Sequence, residues 1–285
     1  RNYDYVGSRR DGAFAEYVTV PADNLIKLPD AVSFEEAAML EPMAVAVHAM
    51  RMAVDGSAKS GGQCRNKVGK GAAAGISETS DDAQIVVCGL GTIGLLLTMF
   101  LLERGFRNVY VIGNKEGQYR RCSSLSLPCE NYCDSSRTDM GSWLKERIGG
   151  ADIFFECVGK NECVKLGIDS AAPGGKVILV GNPYSDMNLP RDVYWKILRD
   201  QLTLKGTWNS SFLGPKLMSE SSIKGSENGE PSNVGPDMIE AGPSATGPVA
   251  AADDWDYVIE RLSSGRVRPE GFITHRLPLE ELDRA

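Results

Sequence analysis

Ile85-Val86-Val87-Cys88-Gly89-Leu90-Gly91-Thr92-Ile93-Gly94 is the stretch that decides how this chain folds. Four apolar residues in a row suit a strand buried on both faces, and Leu95 to Arg104 behind them suits a helix. The G-x-G-x-x-G turn between the two gives each glycine a task. Gly89 makes the tight turn, Gly91 lets a pyrophosphate approach the backbone, and Gly94 lets helix and strand pack closely. Thr92 and Ile93 open the helix, whose unpaired N–H groups and positive dipole end face the phosphates without needing a lysine.

Outward from this stretch the pattern repeats. Val109 to Ile112, Ile153 to Cys157, Val177 to Gly181 and Leu202 to Gly206 are short apolar runs separated by helical segments, with Gly105 and Gly149 as helix stops. Strand and helix in alternation predict an α/β fold with a doubly wound parallel sheet. Cys157, Val158 and Gly159, then Val180, Gly181 and Asn182, fall at the carboxyl edge, where such sheets bind ligands. The motif usually places an acid at the end of the second strand to hold ribose hydroxyls. Here Gly113-Asn114-Lys115 stands instead, with Glu116, Arg120 and Arg121 following. A small residue beside a lysine suits a ribose 2′-phosphate, so NADP is expected to bind somewhat better than NAD, and an aspartate at 113 is expected to reverse that order.

The flanks read differently. Gly12 to Val20 and Leu25 to Leu28 alternate as short strands. Ser33 and Glu36 form a capping box, and Pro42 suits the start of a second helix running to about Met52, which leaves Glu41 at a helix junction. Asp55 to Gln84 and Gly214 to Ala252 are rich in Gly, Ser, Ala or Pro and read as mobile insertions. Asp253-Asp254 starts a last helix with Trp255, Val258, Ile259 and Leu262 on its apolar face and Gly265 as its stop.

Composition narrows the function. The 285 residues are 42% hydrophobic and carry a net charge of −7, which disfavours a nucleic-acid partner. The longest apolar stretch, within Ile93 to Leu102, is half of the about 20 residues a bilayer span needs, so no membrane span is expected. No secretory signal opens the chain, which lacks a starting methionine and so reads as a fragment. Seven cysteines without a Cys-x-x-Cys pair fit a reducing, cytoplasmic setting. Cys129 and Cys133 have a spacing that could begin a zinc site, but free thiols on a loop are the expected state.

Gly12-Ala13-Phe14-Ala15-Glu16-Tyr17-Val18, Glu41-Pro42, His48, the glycine fingerprint, Phe155-Glu156-Cys157-Val158-Gly159 and Thr274-His275-Arg276 together resemble the zinc-dependent medium-chain dehydrogenases, sorbitol dehydrogenase branch. Tyr5 to Gly12 and Gly206 to Ser211 are similar to members acting on sugar-alcohol phosphates. The resemblance implies a Rossmann domain beside the remnant of a GroES-like β-rich catalytic domain. It divides the chain into a catalytic-domain remnant (1–41), a dinucleotide-binding domain (42–211), a disordered insertion (212–252) and a return to the catalytic domain (253–285). It also implies hydride transfer between NAD(P) and a secondary alcohol of a polyol or sugar-alcohol phosphate, in the cytoplasm and in a homo-oligomer. Zinc assists in that family, and of its ligands only Glu41 is matched here; the front segment that carries the others has no counterpart. His48 and His275 are expected to be packing or surface residues, and Arg9 and Arg10 are weak candidates for a substrate phosphate. A dinucleotide-binding module without catalysis, or a zinc-free reductase, are the alternatives.

Overall fold

In the computed structural model, which describes residues 5–54, 81–212 and 253–284, the run Ile85–Cys88 is strand β1, buried at every position. Helix α3 (Thr92–Glu103) follows, then β2 (Val109–Gly113), α4 (Glu116–Ser124), β3 (Tyr132–Asp134) and α5 (Met140–Ile148). The second half of the sheet is β4 (Ala151–Glu156), α6 (Asn161–Ser170), β5 (Ala171–Leu179), α7 (Arg191–Arg199) and β6 (Thr203–Gly206). All neighbours pair in parallel, in the order β3-β2-β1-β4-β5-β6. The chain therefore builds outward from β1 on one side, returns, and builds outward from β4 on the other. The reversal lies between β1 and β4, whose registers run Ile85 opposite Ile153 to Cys88 opposite Glu156.

Within the sheet, several features differ from the sequence reading. Strand β3 is additional; its pairing starts where Tyr132 lies opposite Val111. β5 begins at Ala171, upstream of the expected Val177, because Pro173-Gly174-Gly175 is accommodated by a register break against β4 between Ala151 and Ile153. Val180 and Gly181 have already left the strand, and both donate their N–H to Glu156 O at 2.8 Å. Cys157 likewise lies one residue past β4, its N–H donating to Cys88 O.

Two compact units divide the chain, Leu28–Ser211 with Asp254–Ala285, and Arg1–Lys27 with Phe212–Asp253. The first contains the sheet, helices α1 (Phe34–Ala38) and α2 (Leu40–Val54), and the last helix α8 (Asp254–Ser263). α3 is apolar on nearly every side, since it lies between the sheet and α2 within the larger core, where Leu96, Leu97, Phe100 and Leu101 are fully buried. Each such side chain contributes roughly 1.5–3 kcal/mol by leaving water. Tyr257, Val258 and Leu262 of α8 join the same core. Lys176 and Lys205 donate to Ala53 O and Met52 O at the end of α2, which satisfies terminal carbonyls and pins that helix to β5 and β6.

In the other unit, Tyr5 to Arg10 form a turn closed by Gly7 N–H to Arg10 O at 3.0 Å, with the Arg9 guanidinium over the Tyr5 ring. The strands expected at Gly12 to Val20 and Leu25 to Leu28 are not formed; bends, extended coil and a 3₁₀ turn at Ala22–Asn24 occupy the region. Alternation alone does not make a strand without a paired edge, and Phe14 and Tyr17 stand 80% and 90% exposed. The strand expected to end near His275 is also coil, after a 3₁₀ turn at Glu270–Phe272. The insertions expected at 55–84 and 212–252 lie outside the described residues, apart from 81–84 and Phe212. Among the described residues no helix is long and apolar enough to cross a membrane.

The capping box is present as read. Buried Glu36 accepts the Ser33 N–H and hydroxyl at 2.9 Å each, Ser33 Oγ accepts the Glu36 N–H, and Arg268 NH1 donates to Glu36 at 2.6 Å. Burial alone would raise the Glu36 pKa, but these bonds outweigh it and hold the carboxyl below its usual 4.5. A carboxyl lowered in the folded state stabilises above its unfolded pKa and loses that contribution as pH falls through the folded one. Glu36→Gln should therefore lower stability by about 1–3 kcal/mol at neutral pH. The gap to the parent should close below pH 4.5 in urea titrations; a gap independent of pH would contradict the assignment.

Candidate dinucleotide site

The crevice outside the ends of β1 and β4 is made by two backbone turns in contact. Gly89 has φ +98°, and a Cβ on it would lie 2.5 Å from Val158 Cγ2. Gly94 passes closer still, since a Cβ there would sit 1.8 Å from Gly89 O. A Cβ on Gly91 would meet nothing within 4 Å. Two glycines of the fingerprint are thus required by packing, and the third faces open space. Gly91 is also the N-cap of α3 and makes no side-chain cap, so the first turn of the helix is left without a side-chain acceptor on the open side. Thr92 and Ile93 occupy that turn.

On the β4 side the turn is built around Glu156, which is 1% exposed at the end of the strand. Its Oε1 accepts the N–H groups of Val158 and Gly159, each at 2.8 Å. Burial raises its pKa, opposed by those N–H bonds. Gly159 and Gly181 then meet at close range, for a Cβ on Gly181 would be 2.2 Å from Gly159 N. Cys157, Val158, Gly159, Val180, Gly181 and Asn182 are therefore brought together at one edge. Glu156 organises them, although the sequence reading used it only as part of a motif. The available signal was an acid closing an apolar strand, a position where charge needs several partners.

On the β2 side, Gly113 is buried and Asn114 and Lys115 are exposed. Gln118, three residues into α4, accepts the Asn114 N–H at 2.9 Å and the Lys115 N–H at 3.1 Å through Oε1, and donates Nε2–H to Leu90 O at 2.9 Å. Tyr132 donates its hydroxyl to Lys115 O, and burial helps push its pKa up to about 12. A Cβ at Gly113 would meet Gln118 Oε1 and Tyr132 Oη at 2.8 Å each. The simple exchange of Gly113 for aspartate is thus corrected: an acid there has to displace these groups first.

Glu41 stands exposed in the first turn of α2, its carboxyl partly desolvated and its pKa raised by that burial. Among the described residues no three His, Cys, Asp or Glu side chains gather as a metal site would require, so the residues described do not fit a zinc site. Cys129 is exposed in a 3₁₀ turn and Cys133 is buried in β3. His48 Nδ1 donates to Asp254 Oδ2 at 2.8 Å; Arg51 and the Ser211 N–H bond the same buried carboxylate. His275 is exposed beside Thr274 Oγ1.

Similarity to known proteins agrees with this architecture. The family model described as zinc-binding dehydrogenase matches residues 92–224. A galactitol 1-phosphate 5-dehydrogenase of Escherichia coli K12 is 30% identical over 207 residues, 72% of this chain and 53% of that protein. The chain spans about half the length of such curated relatives. Two solved structures share the fold. A short chain alcohol dehydrogenase from E. coli CFT073, complexed with NADH, has TM-score 0.69 and 18% identity, covering 99% of this chain and 63% of its own. A protein from Sinorhizobium meliloti 1021, described as a zinc-binding dehydrogenase and bound to NADP, has TM-score 0.65 and 19% identity, covering 98% and 63%.

The two kinds of glycine separate in a mutational test. Gly94→Ala should cost several kcal/mol of stability or prevent folding, because the clash is with backbone. Gly91→Ala should change stability by less than about 0.5 kcal/mol while weakening dinucleotide binding, as calorimetry would show. A Gly91→Ala protein that binds like the parent would mean that no pyrophosphate approaches there. The matched segment, the sheet order and the glycine turn together make this chain similar to the zinc-binding dehydrogenases over residues 92–224.

Proposed function

We propose that the crevice between β1 and β4 binds NAD(P), with NADP held more tightly than NAD, and that the protein transfers hydride between it and a secondary alcohol of a polyol or sugar-alcohol phosphate. The observation that carries the reading is the uncapped start of α3 over open space at Gly91. In this account the backbone of Gly91, Thr92, Ile93 and Gly94 receives the pyrophosphate. Val158, Gly159, Val180, Gly181 and Asn182 line the nicotinamide end, held in place by Glu156. The nicotinamide supplies the hydride acceptor when bound, and the protein orients it and keeps water from one face. Glu41 is the one family ligand position matched in this chain; the described residues alone complete no zinc site, and no step is assigned to a metal. The substrate class is supported by similarity to the galactitol 1-phosphate enzyme.

A cytoplasmic, homo-oligomeric enzyme completes the proposal. The free cysteines support a reducing compartment, and the half-exposed Tyr194, Trp195 and Leu198 on α7 support association. The second reading is a dinucleotide-binding module without turnover.

The neutral end of β2 beside Lys115 should favour NADP by about tenfold, the effect of one partly exposed lysine–phosphate contact. Calorimetric titration of both oxidised cofactors tests this, and equal or tighter binding of NAD would contradict the preference. Adding galactitol 1-phosphate and zinc, with nicotinamide absorbance followed, separates the two readings. Turnover supports the enzyme, and tight binding without turnover supports the module.

A further inference from the structure

Gln118 occupies the space that a side chain at Gly113 would fill. Its amide oxygen lies 2.8 Å from where a Gly113 Cβ would be, at the end of β2 where the motif usually places an acid. From α4 it also spans two segments of the proposed site: Oε1 accepts from the N–H groups of Asn114 and Lys115, and Nε2 donates to Leu90 O in the glycine turn. It is half-buried and neutral. The acids around it are already engaged, with Glu116 paired to Arg120 at 2.5 Å, and Asp134 accepting from the Ser136 N–H and hydroxyl and facing Arg137.

We infer that Gln118 is the specificity-determining residue for the dinucleotide, a neutral carboxamide standing in the place of the missing ribose-binding acid. The inference rests on the reading of this crevice as an NAD(P) site. Two properties follow from its chemistry. Being neutral, the amide leaves a 2′-phosphate unrepelled, so the local field is set by Lys115 and the start of α4. By holding the 114–115 turn against Leu90, it fixes where the adenosine ribose sits relative to the pyrophosphate. A carboxylate in the same place would keep the two accepted N–H bonds. It would lose the bond to Leu90 O, repel a 2′-phosphate and accept from a 2′-hydroxyl.

The test compares the parent with Gln118→Glu and Gln118→Met, titrated with NADP and NAD by calorimetry, with thermal unfolding as the folding control. Gln118→Glu should shift the NADP-to-NAD affinity ratio towards NAD by about tenfold or more, mainly through weaker NADP binding. Gln118→Met has similar length and no charge, and should weaken both cofactors together with the ratio preserved within about threefold. A parallel loss in Gln118→Glu would overturn the inference and leave Gln118 a helix cap only. A ratio change in Gln118→Met as large as in Gln118→Glu would overturn it too, because the bridge and not the charge would then set the ratio. If Gln118→Glu does not fold, the Met variant and the parent still decide: a ratio kept within about threefold supports the inference, and a shift of about tenfold or more overturns it. A parent that prefers NAD but shifts further towards NAD in Gln118→Glu removes the proposed NADP preference and keeps the role of Gln118. A parent that binds neither cofactor overturns both.

Discussion

Gly94 approaches Gly89 O so closely that no side chain fits between them, and the shape of the crevice depends on that contact. It fixes how far the start of α3 sits from the end of β1, and so leaves the first helical turn facing outward at Gly91. The β4 turn then has little freedom, since Val158 packs against Gly89 and Gly181 against Gly159. Backbone touches backbone at Gly94 and Gly181, and the Val158 side chain closes on Gly89, so larger residues there would force the strands' ends apart. The topology supplies the reason for the location, because the sheet reverses its direction of growth between β1 and β4 and leaves a gap that neither crossover covers.

Three buried carboxylates tie together segments remote in sequence. Glu36 joins the start of α1 to Arg268, Glu156 gathers the turn after β4, and Asp254 links His48 and Arg51 of α2 to the Ser211 backbone. Each would be costly if unpaired, and each is surrounded by donors. Among the described residues, Gln84 Oε1 is the buried side-chain atom left without a partner. The fold thus spends its buried charge on joining elements, and the crevice itself stays mostly backbone.

Strands β1 and β2 were legible because both faces are covered, which writes an unbroken apolar run into the sequence. β3 was not, being three residues long at the sheet edge with only Cys133 buried. The start of β5 was hidden by Pro173-Gly174-Gly175, which read as a turn. At the N-terminal side, alternation in Gly12 to Val20 suggested a strand, but pairing depends on a neighbour that the local pattern does not encode. Within the site, the fingerprint glycines could be assigned from their spacing. The crowding at Gly113 could not, because it comes from Gln118 on the next helix and Tyr132 on the next strand.

The claim that this crevice is a dinucleotide site is most directly tested by amide hydrogen exchange with and without saturating NADP. The account predicts slowed exchange confined to four segments, Gly89 to Gly94, Gly113 to Gln118, Cys157 to Asn161 and Val180 to Asn182, with α5 and α7 unchanged. Protection spread evenly over the sheet, or absent from Gly91 to Gly94, would contradict it.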